Sequence, residues 1–407
     1  MSTHLSRPSY AAVLRIPQAR RTFTAALTAR LSYGTVSLAV LLSVTRATGS
    51  WAVSGTVLSL FGATTVLLMP VRAALIDSRG PRRALLPMSA LYGALLTVLA
   101  ALTWRPGAPS AAIGLTAALA GGCAPPLGPT MRALWSELVA DRDLLQRAYS
   151  LDGVAEELLY VSGPALIGGL MAVAPPAAGI LLSAALNAAG TCAFVTSPAM
   201  TGPRPTSRRR RTAPVRGLLP PVLVALGVGL ALSSADLLVM AFATERAYDT
   251  ALVPWVLGAL SAGSALGGLA GGAVRWRTTA RTRLCGFAAA LGLVLATAGL
   301  APGLWTLTGV MALTGAFLAP ALTTAYLLAD ETAAADSRTR AGAWVNAGVN
   351  AGSSAGALAA GLLIGRLPLE VCFALAGGVA ALPAVAVACR SRRVRARRGW
   401  SRSFSRL

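Results

Sequence analysis

The chain has 407 residues, of which 55% are hydrophobic and only 12% charged, and it carries 36 basic side chains against 14 acidic ones. A soluble chain of this length carries about 25% charged residues, whereas here apolar runs of span length recur from end to end and the mean hydropathy is +0.65. A water-soluble globular class is excluded, and an all-α, polytopic membrane protein is indicated.

Every basic side chain is arginine, and lysine is absent. A Walker-type phosphate loop needs its lysine, so ATP-driven work by this chain is excluded. The only histidine is His4, in the polar N-terminal arm, so neither a zinc-binding HExxH helix nor a Ser-His-Asp triad can be assembled in the membrane. Gly352-x-Ser354-x-Gly356 matches the spacing of a nucleophile elbow, but it falls in a membrane helix without histidine and reads as chance. Cys123, Cys192, Cys285, Cys372 and Cys389 stand singly, which suggests free, buried thiols. No enzyme activity, metal or cofactor is expected.

In chain order, residues 1–22 form a cytoplasmic arm without the apolar core of a cleavable signal. Apolar windows then predict spans at 23–44, 51–71, 84–104, 110–131, 148–172 and 175–197, one six-helix bundle. A linker at 198–217 holds the run Arg208 to Arg211. A second bundle follows at 218–389, with spans at 218–242, 251–274, 284–302, 304–328, 341–364 and 369–389. The basic tail, 390–407, is either a solvated segment or one lying on the inner leaflet.

Arginine sidedness tests this count of twelve. With the first loop placed outside, 31 arginines fall in the inner segments, Arg46, Arg105, Arg246 and Arg366 fall outside, and Arg30 falls within a span. Both termini are then cytoplasmic. Trp51, Trp104, Trp255 and Trp305 mark outer helix ends, and Trp135, Trp276 and Trp344 inner ones. Sidedness and contact with anionic lipid account for the basic excess, so no nucleic-acid partner is expected. The arginine-only, alanine-rich usage suggests a GC-rich bacterial host, and hence the inner membrane.

The two halves share a spacing. Gly121-x4-Pro126-x3-Thr130-x3-Leu134 recurs as Gly315-x4-Pro320-x3-Thr324-x3-Leu328, and Arg147-x9-Glu157-x5-Gly163-x4-Gly168 recurs as Arg340-x9-Asn350-x5-Gly356-x4-Gly361. Two pseudo-symmetric six-helix bundles follow, an architecture that suits alternating access around a midplane site. Gly263, Gly267 and Gly271, and Gly348, Gly352 and Gly356, form small-residue stripes for close helix contact, at moving or at fixed interfaces.

Between spans two and three the chain reads Ala73-Ala74-Leu75-Ile76-Asp77-Ser78-Arg79-Gly80-Pro81-Arg82-Arg83. This resembles the signature loop GxxxDRxGRR of the major facilitator superfamily: Asp77, Gly80 and Arg82 match, while Ala73, Ser78 and Pro81 depart. The resemblance implies a cytoplasmic latch in which Asp77 faces the start of span eleven near Ala341, and Arg82 and Arg83 meet carboxylates or lipid phosphate. Gly163-Pro164 with Gly168-Gly169 resembles the GPxxGG signature of the drug exporters, with one extra residue between the pairs, and implies a bending gating helix in span five.

Five ionisable side chains fall inside predicted spans: Arg30, Asp152, Glu156, Glu157 and Asp236. Each costs about 2.5–3.5 kcal/mol at a helix centre, so they are expected to pair, protonate or face water. Arg30 and Glu157 lie at similar depth and are expected to pair. Asp152 and Glu156 share a helix face, where two adjacent carboxylates would favour holding a proton. Asp236, Asn346 and Asn350 complete the candidates for the cavity or for proton coupling. The exporters commonly carry an arginine within span four, and residues 114–131 contain no charge.

The expectation is a monomeric exporter of a small hydrophobic or amphipathic solute, coupled to proton antiport. The alternatives are an importer or uniporter of the same fold, and a membrane sensor that binds without transporting.

Overall fold

The computed structural model describes residues 9–201, 215–249 and 252–382. The expected linker and basic tail fall largely or wholly outside these residues, as does Cys389. Among them the fold is all-helical: α1 (Tyr10–Arg15), α2 (Ala19–Thr48), α3 (Trp51–Arg79), α4 (Pro81–Trp104), α5 (Ser110–Cys123), α6 (Leu127–Leu138), α7 (Arg142–Met171), α8 (Pro176–Val195), α9 (Pro198–Thr201), α10 (Val215–Glu245), α11 (Val253–Ala273), α12 (Ala280–Thr297), α13 (Leu304–Thr332), α14 (Arg338–Leu363) and α15 (Leu369–Leu382).

Ten helical stretches among the described residues are long and apolar enough to cross a membrane, with α5 and α6 together counted as one. α14 and α15 occupy the places expected for the last two spans. α14 is diluted by Asn346, Asn350, Ser353 and Ser354, and α15 is described only to Leu382.

Helix limits follow local chemistry. Ser50 caps α3 by accepting from the Val53 amide at 3.3 Å, and Asp141 caps α7 by accepting from the Leu144 amide at 2.7 Å. Gly80 separates α3 from α4 with φ of +83°, a conformation that favours glycine, and Pro81 starts α4 where its missing N–H costs nothing. α3 and α6 outrun the apolar windows that predicted them. Arg72, Arg132 and Arg147, expected in loops, are buried helical residues. A hydropathy window stops at the first guanidinium, whereas the backbone continues wherever that group finds partners.

The chain forms two compact units, Met1–Ala213 with Ala333–Ala347, and Pro214–Thr332 with Gly348–Leu407. In the first, Val36, Val40, Tyr92, Leu96, Ile113 and Ile180 belong to one apolar core, and hydroxyls join helices at Ser43 to Thr103 (2.7 Å) and Thr35 with Ser183 (2.7 Å). In the second, Gly263 and Gly267 of α11 abut the α13 backbone at Ala312 and Ala316, while Gly352 and Gly356 of α14 abut α10 at Leu226 and Leu230. Both stripes therefore lie at helix contacts inside a unit. Trp135 corrects the belt assignment: it is fully buried, edge-on to Phe23 at 5.5 Å. Of the described cysteines, all free, only Cys372 is buried.

Candidate functional site

Three helices of the first unit bring four charges together. Arg30 projects from α2, Arg132 from α6, and Asp152 and Glu156 from successive turns of one face of α7. Arg30 Nη1 lies 2.7 Å from Asp152 Oδ1 and its Nη2 lies 2.9 Å from Glu156 Oε1. Arg132 Nε lies 2.9 Å from Asp152 Oδ2, and its Nη2 pairs with Glu156 Oε2. Each guanidinium thus bridges both carboxylates, and the ring is formally neutral. Asp152 is 0% exposed and the arginines nearly so, while Glu156 retains 24%. Burial on this scale is tolerated only because each charge is paired twice over.

This arrangement corrects the expected pairing of Arg30 with Glu157. Successive helical residues point about 100° apart, so the face of α7 that carries Asp152 presents Glu156 to Arg30 and turns Glu157 aside. Nor do the two carboxylates face each other alone, in contrast to the expectation: a guanidinium from α2 and one from α6 each contact both of them. Arg132 was missed as a site residue because the window for span four closed at Met131. That α6 continues through Arg132 to Leu138, with only residues 139–141 before α7, is shown by the structure and not by the apolar pattern.

The other candidates stand apart from this ring. Asp236 on α10 is exposed and has neither hydrogen bond nor ion pair among the described residues. Asn346 and Asn350, one turn apart on α14, are half-buried. Gly163 sits where α7 crosses α2, so close that a Cβ there would strike the Gly34 backbone; at Gly168 a Cβ would meet nothing within 4 Å. Pro164 lies inside α7, which runs unbroken to Met171. Among the described residues no group of three or more His, Cys, Asp or Glu could hold a metal ion.

In the signature loop, Asp77 Oδ2 accepts from the Arg340 amide at 2.9 Å, in the first turn of α14, where a carboxylate favours the helix dipole. Ala73, in place of the motif's glycine, packs with Met69 against Ala343. Arg82 and Arg83 are exposed and meet no carboxylate among the described residues. Asp77→Asn keeps an acceptor but loses the charge; the start of α14 should lose about 0.3–1 kcal/mol, read as faster maleimide labelling of a cysteine placed at Thr339.

Comparison with known proteins supplies the family. The sequence profile of the Major Facilitator Superfamily matches residues 22–297, well over half the chain. The chain belongs to the major facilitator superfamily. Among solved structures, this facilitator is similar to a bacterial homologue of the iron transporter ferroportin in an outward-facing state, with a TM-score of 0.72 and 14% identity over 92% of this chain and 99% of that one. It is likewise similar to the human organic anion transporter MFSD10, with a TM-score of 0.68 and 15% identity over 91% of this chain and 99% of that one. The E. coli fucose:proton symporter gives a TM-score of 0.66 and 16% identity over 92% of this chain and 98% of that one. At such identities the likeness establishes the fold; the family match and the apolar helices identify a multi-pass membrane protein of the superfamily. A search of curated proteins gives no significant match.

Proposed function

We propose that this facilitator is a secondary active exporter that moves a small hydrophobic or amphipathic solute by alternating access, driven by proton antiport through Glu156. In this reading twelve spans cross a bacterial inner membrane, both termini are cytoplasmic, and the protein works as a monomer. The Asp77 contact serves as a latch that α14 leaves when the cytoplasmic side opens.

The observation that carries the proposal is the charge ring, closed on three corners and exposed only at Glu156. A proton arriving there discharges one carboxylate and leaves two guanidiniums against Asp152 alone, a net positive charge in a low-dielectric setting where Coulomb terms are strong. Arg30 and Arg132 must then rearrange or recruit new partners, which links protonation to motion of α2 and α6 against α7. Asp236, Asn346 and Asn350 are assigned to solute contact. The few acids and the alanine-, leucine- and glycine-rich spans suit an amphipathic solute better than a sugar.

The test uses proteoliposomes loaded with ethidium, rhodamine 6G and chloramphenicol in turn. Proton-gradient-driven flux that falls at least tenfold in Glu156→Gln, with the variant still folded, supports antiport. Flux indifferent to the gradient indicates a uniporter, movement of solute with the proton an importer, and binding without movement a sensor.

A further inference from the structure

α5 runs into Pro125 and Pro126. In an unbroken helix the amides of residues 125 and 126 would donate to the carbonyls of Gly121 and Gly122, and proline has no N–H for either bond. α5 accordingly stops at Cys123, Ala124 takes ψ of 120°, and α6 begins afresh at Leu127.

The Ala124 amide donates to the Gly121 carbonyl at 3.3 Å and the Leu127 amide to the Pro125 carbonyl at 2.9 Å, and further donors to the break come from side chains of α2 and α3. Arg72 of α3 donates through Nη1 to the Gly121 carbonyl at 2.8 Å and to the Ala124 carbonyl, and through Nη2 to the Thr65 carbonyl of its own helix. Thr65 Oγ1 adds a bond to the Gly121 carbonyl at 3.2 Å, and the Tyr33 hydroxyl of α2 donates to the Pro125 carbonyl. Arg72 is 6% exposed and has no carboxylate partner among the described residues. Its countercharge is the carbonyl end of α5.

The second unit provides an internal control. α13 repeats the Gly-x4-Pro spacing at Gly315 and Pro320, but Ala319 stands where the first copy has Pro125, and α13 runs unbroken from Leu304 to Thr332. α11 crosses α13 much as α3 crosses α5: a Cβ on Gly121 would strike the Phe61 carbonyl, and one on Gly315 the Leu260 carbonyl. The same distance further along each crossing helix stand Arg72 and Gly271, and a Cβ on Gly271 would lie 3.2 Å from the Pro320 ring. The extra proline and the arginine occur together in one unit and are both missing from the other.

We infer that Arg72 is a positioning residue: it supplies from α3 a donor to the Gly121 carbonyl in place of the amide that Pro125 lacks, ties the Ala124 carbonyl to the same guanidinium, and so holds α6 as a lever jointed to α5. The lever's first turn touches the charge ring. A Cβ on Gly128 would stand 3.6 Å from Arg132 Nη1, 3.7 Å from Glu156 Oε1 and 3.9 Å from Arg30 Cζ. A swing at the joint moves Arg132 against Asp152 and Glu156. Use of the joint in coupling rests on the transport reading above; the joint itself does not.

Hydrogen exchange in lipid nanodiscs, with no solute added, tests the joint. Arg72→Met should raise amide exchange across residues 119–131 about tenfold, the order expected for losing hydrogen bonds to a charged group. Arg72→Lys keeps the charge without the planar fork and should fall between. Pro125→Ala returns an amide to Gly121, so Arg72→Met/Pro125→Ala should exchange no faster than the unaltered chain. Unchanged exchange in Arg72→Met, or a double variant as fast as the single, overturns the inference. If Arg72→Met cannot be purified, a folded double variant supports the joint and an equally unrecoverable one overturns it. The double variant also tests the lever in proteoliposomes, with whichever of the three solutes the unaltered protein moves. A stable double variant that has lost flux supports the lever, and flux at the unaltered level overturns it. No flux from the unaltered chain defeats the transport reading and leaves the exchange result standing.

Discussion

Asp152→Asn should destabilise the protein by about 3–5 kcal/mol, the loss expected when one member of a buried ion pair is removed and its partners stay charged. Asp152 is the fully enclosed corner of the ring, hydrogen-bonded at one oxygen to Arg30 and ion-paired at the other with Arg132. Without it, two guanidiniums remain against Glu156 alone. The double variant Arg30→Met/Asp152→Asn removes one charge of each sign and leaves Arg132 paired with Glu156. It should therefore melt above the Asp152→Asn single variant. Thermal unfolding in detergent, followed by tryptophan fluorescence, measures both. A single variant that melts with the unaltered protein would show that the ring is not closed as described.

Substitutions at Gly163 and Gly168 should have opposite signs, although the two lie on one helix. A Cβ at Gly163 would collide with the Gly34 backbone, which cannot rotate aside as a side chain does. Gly163→Ala should cost about 1–3 kcal/mol, the range for overpacking a tight contact. The damage extends to the site, because spreading α7 from α2 also spreads Asp152 and Glu156 from Arg30. At Gly168 there is open space, and alanine is the better helix former, so Gly168→Ala should gain about 0.5–1 kcal/mol. Melting curves read both, and flux should fall only for Gly163→Ala. Equal effects at the two positions would remove the distinction between contact glycine and open glycine.

That distinction shows how much of the site could be read in advance. The resemblance to the exporter signature picked out Gly163, Pro164 and Gly168 together, yet only Gly163 makes a close helix contact. Arg30, Asp152 and Glu156 were legible as charges too costly to leave in lipid, but their partners were not. The pairing turned on a single residue of register, Glu156 against Glu157, and on Arg132, which lies just beyond the apolar window. Arg72 was hidden for the same reason: it read as loop charge, and its purpose depends on a break in a different helix.

The amino-acid sequence by itself determined that this chain is a helical membrane protein, that its halves share a repeat, and which family's loop it resembles. Those features follow from local rules: lipid forces backbone polar groups into helices and makes stray charges conspicuous. Only the tertiary structure decided which charges meet, which glycines touch, and that Pro125 with Pro126 splits a helix that Pro320 alone leaves whole. Such outcomes depend on the rotation, depth and neighbours of helices distant in sequence, and these are set by packing rather than by the composition of any one segment.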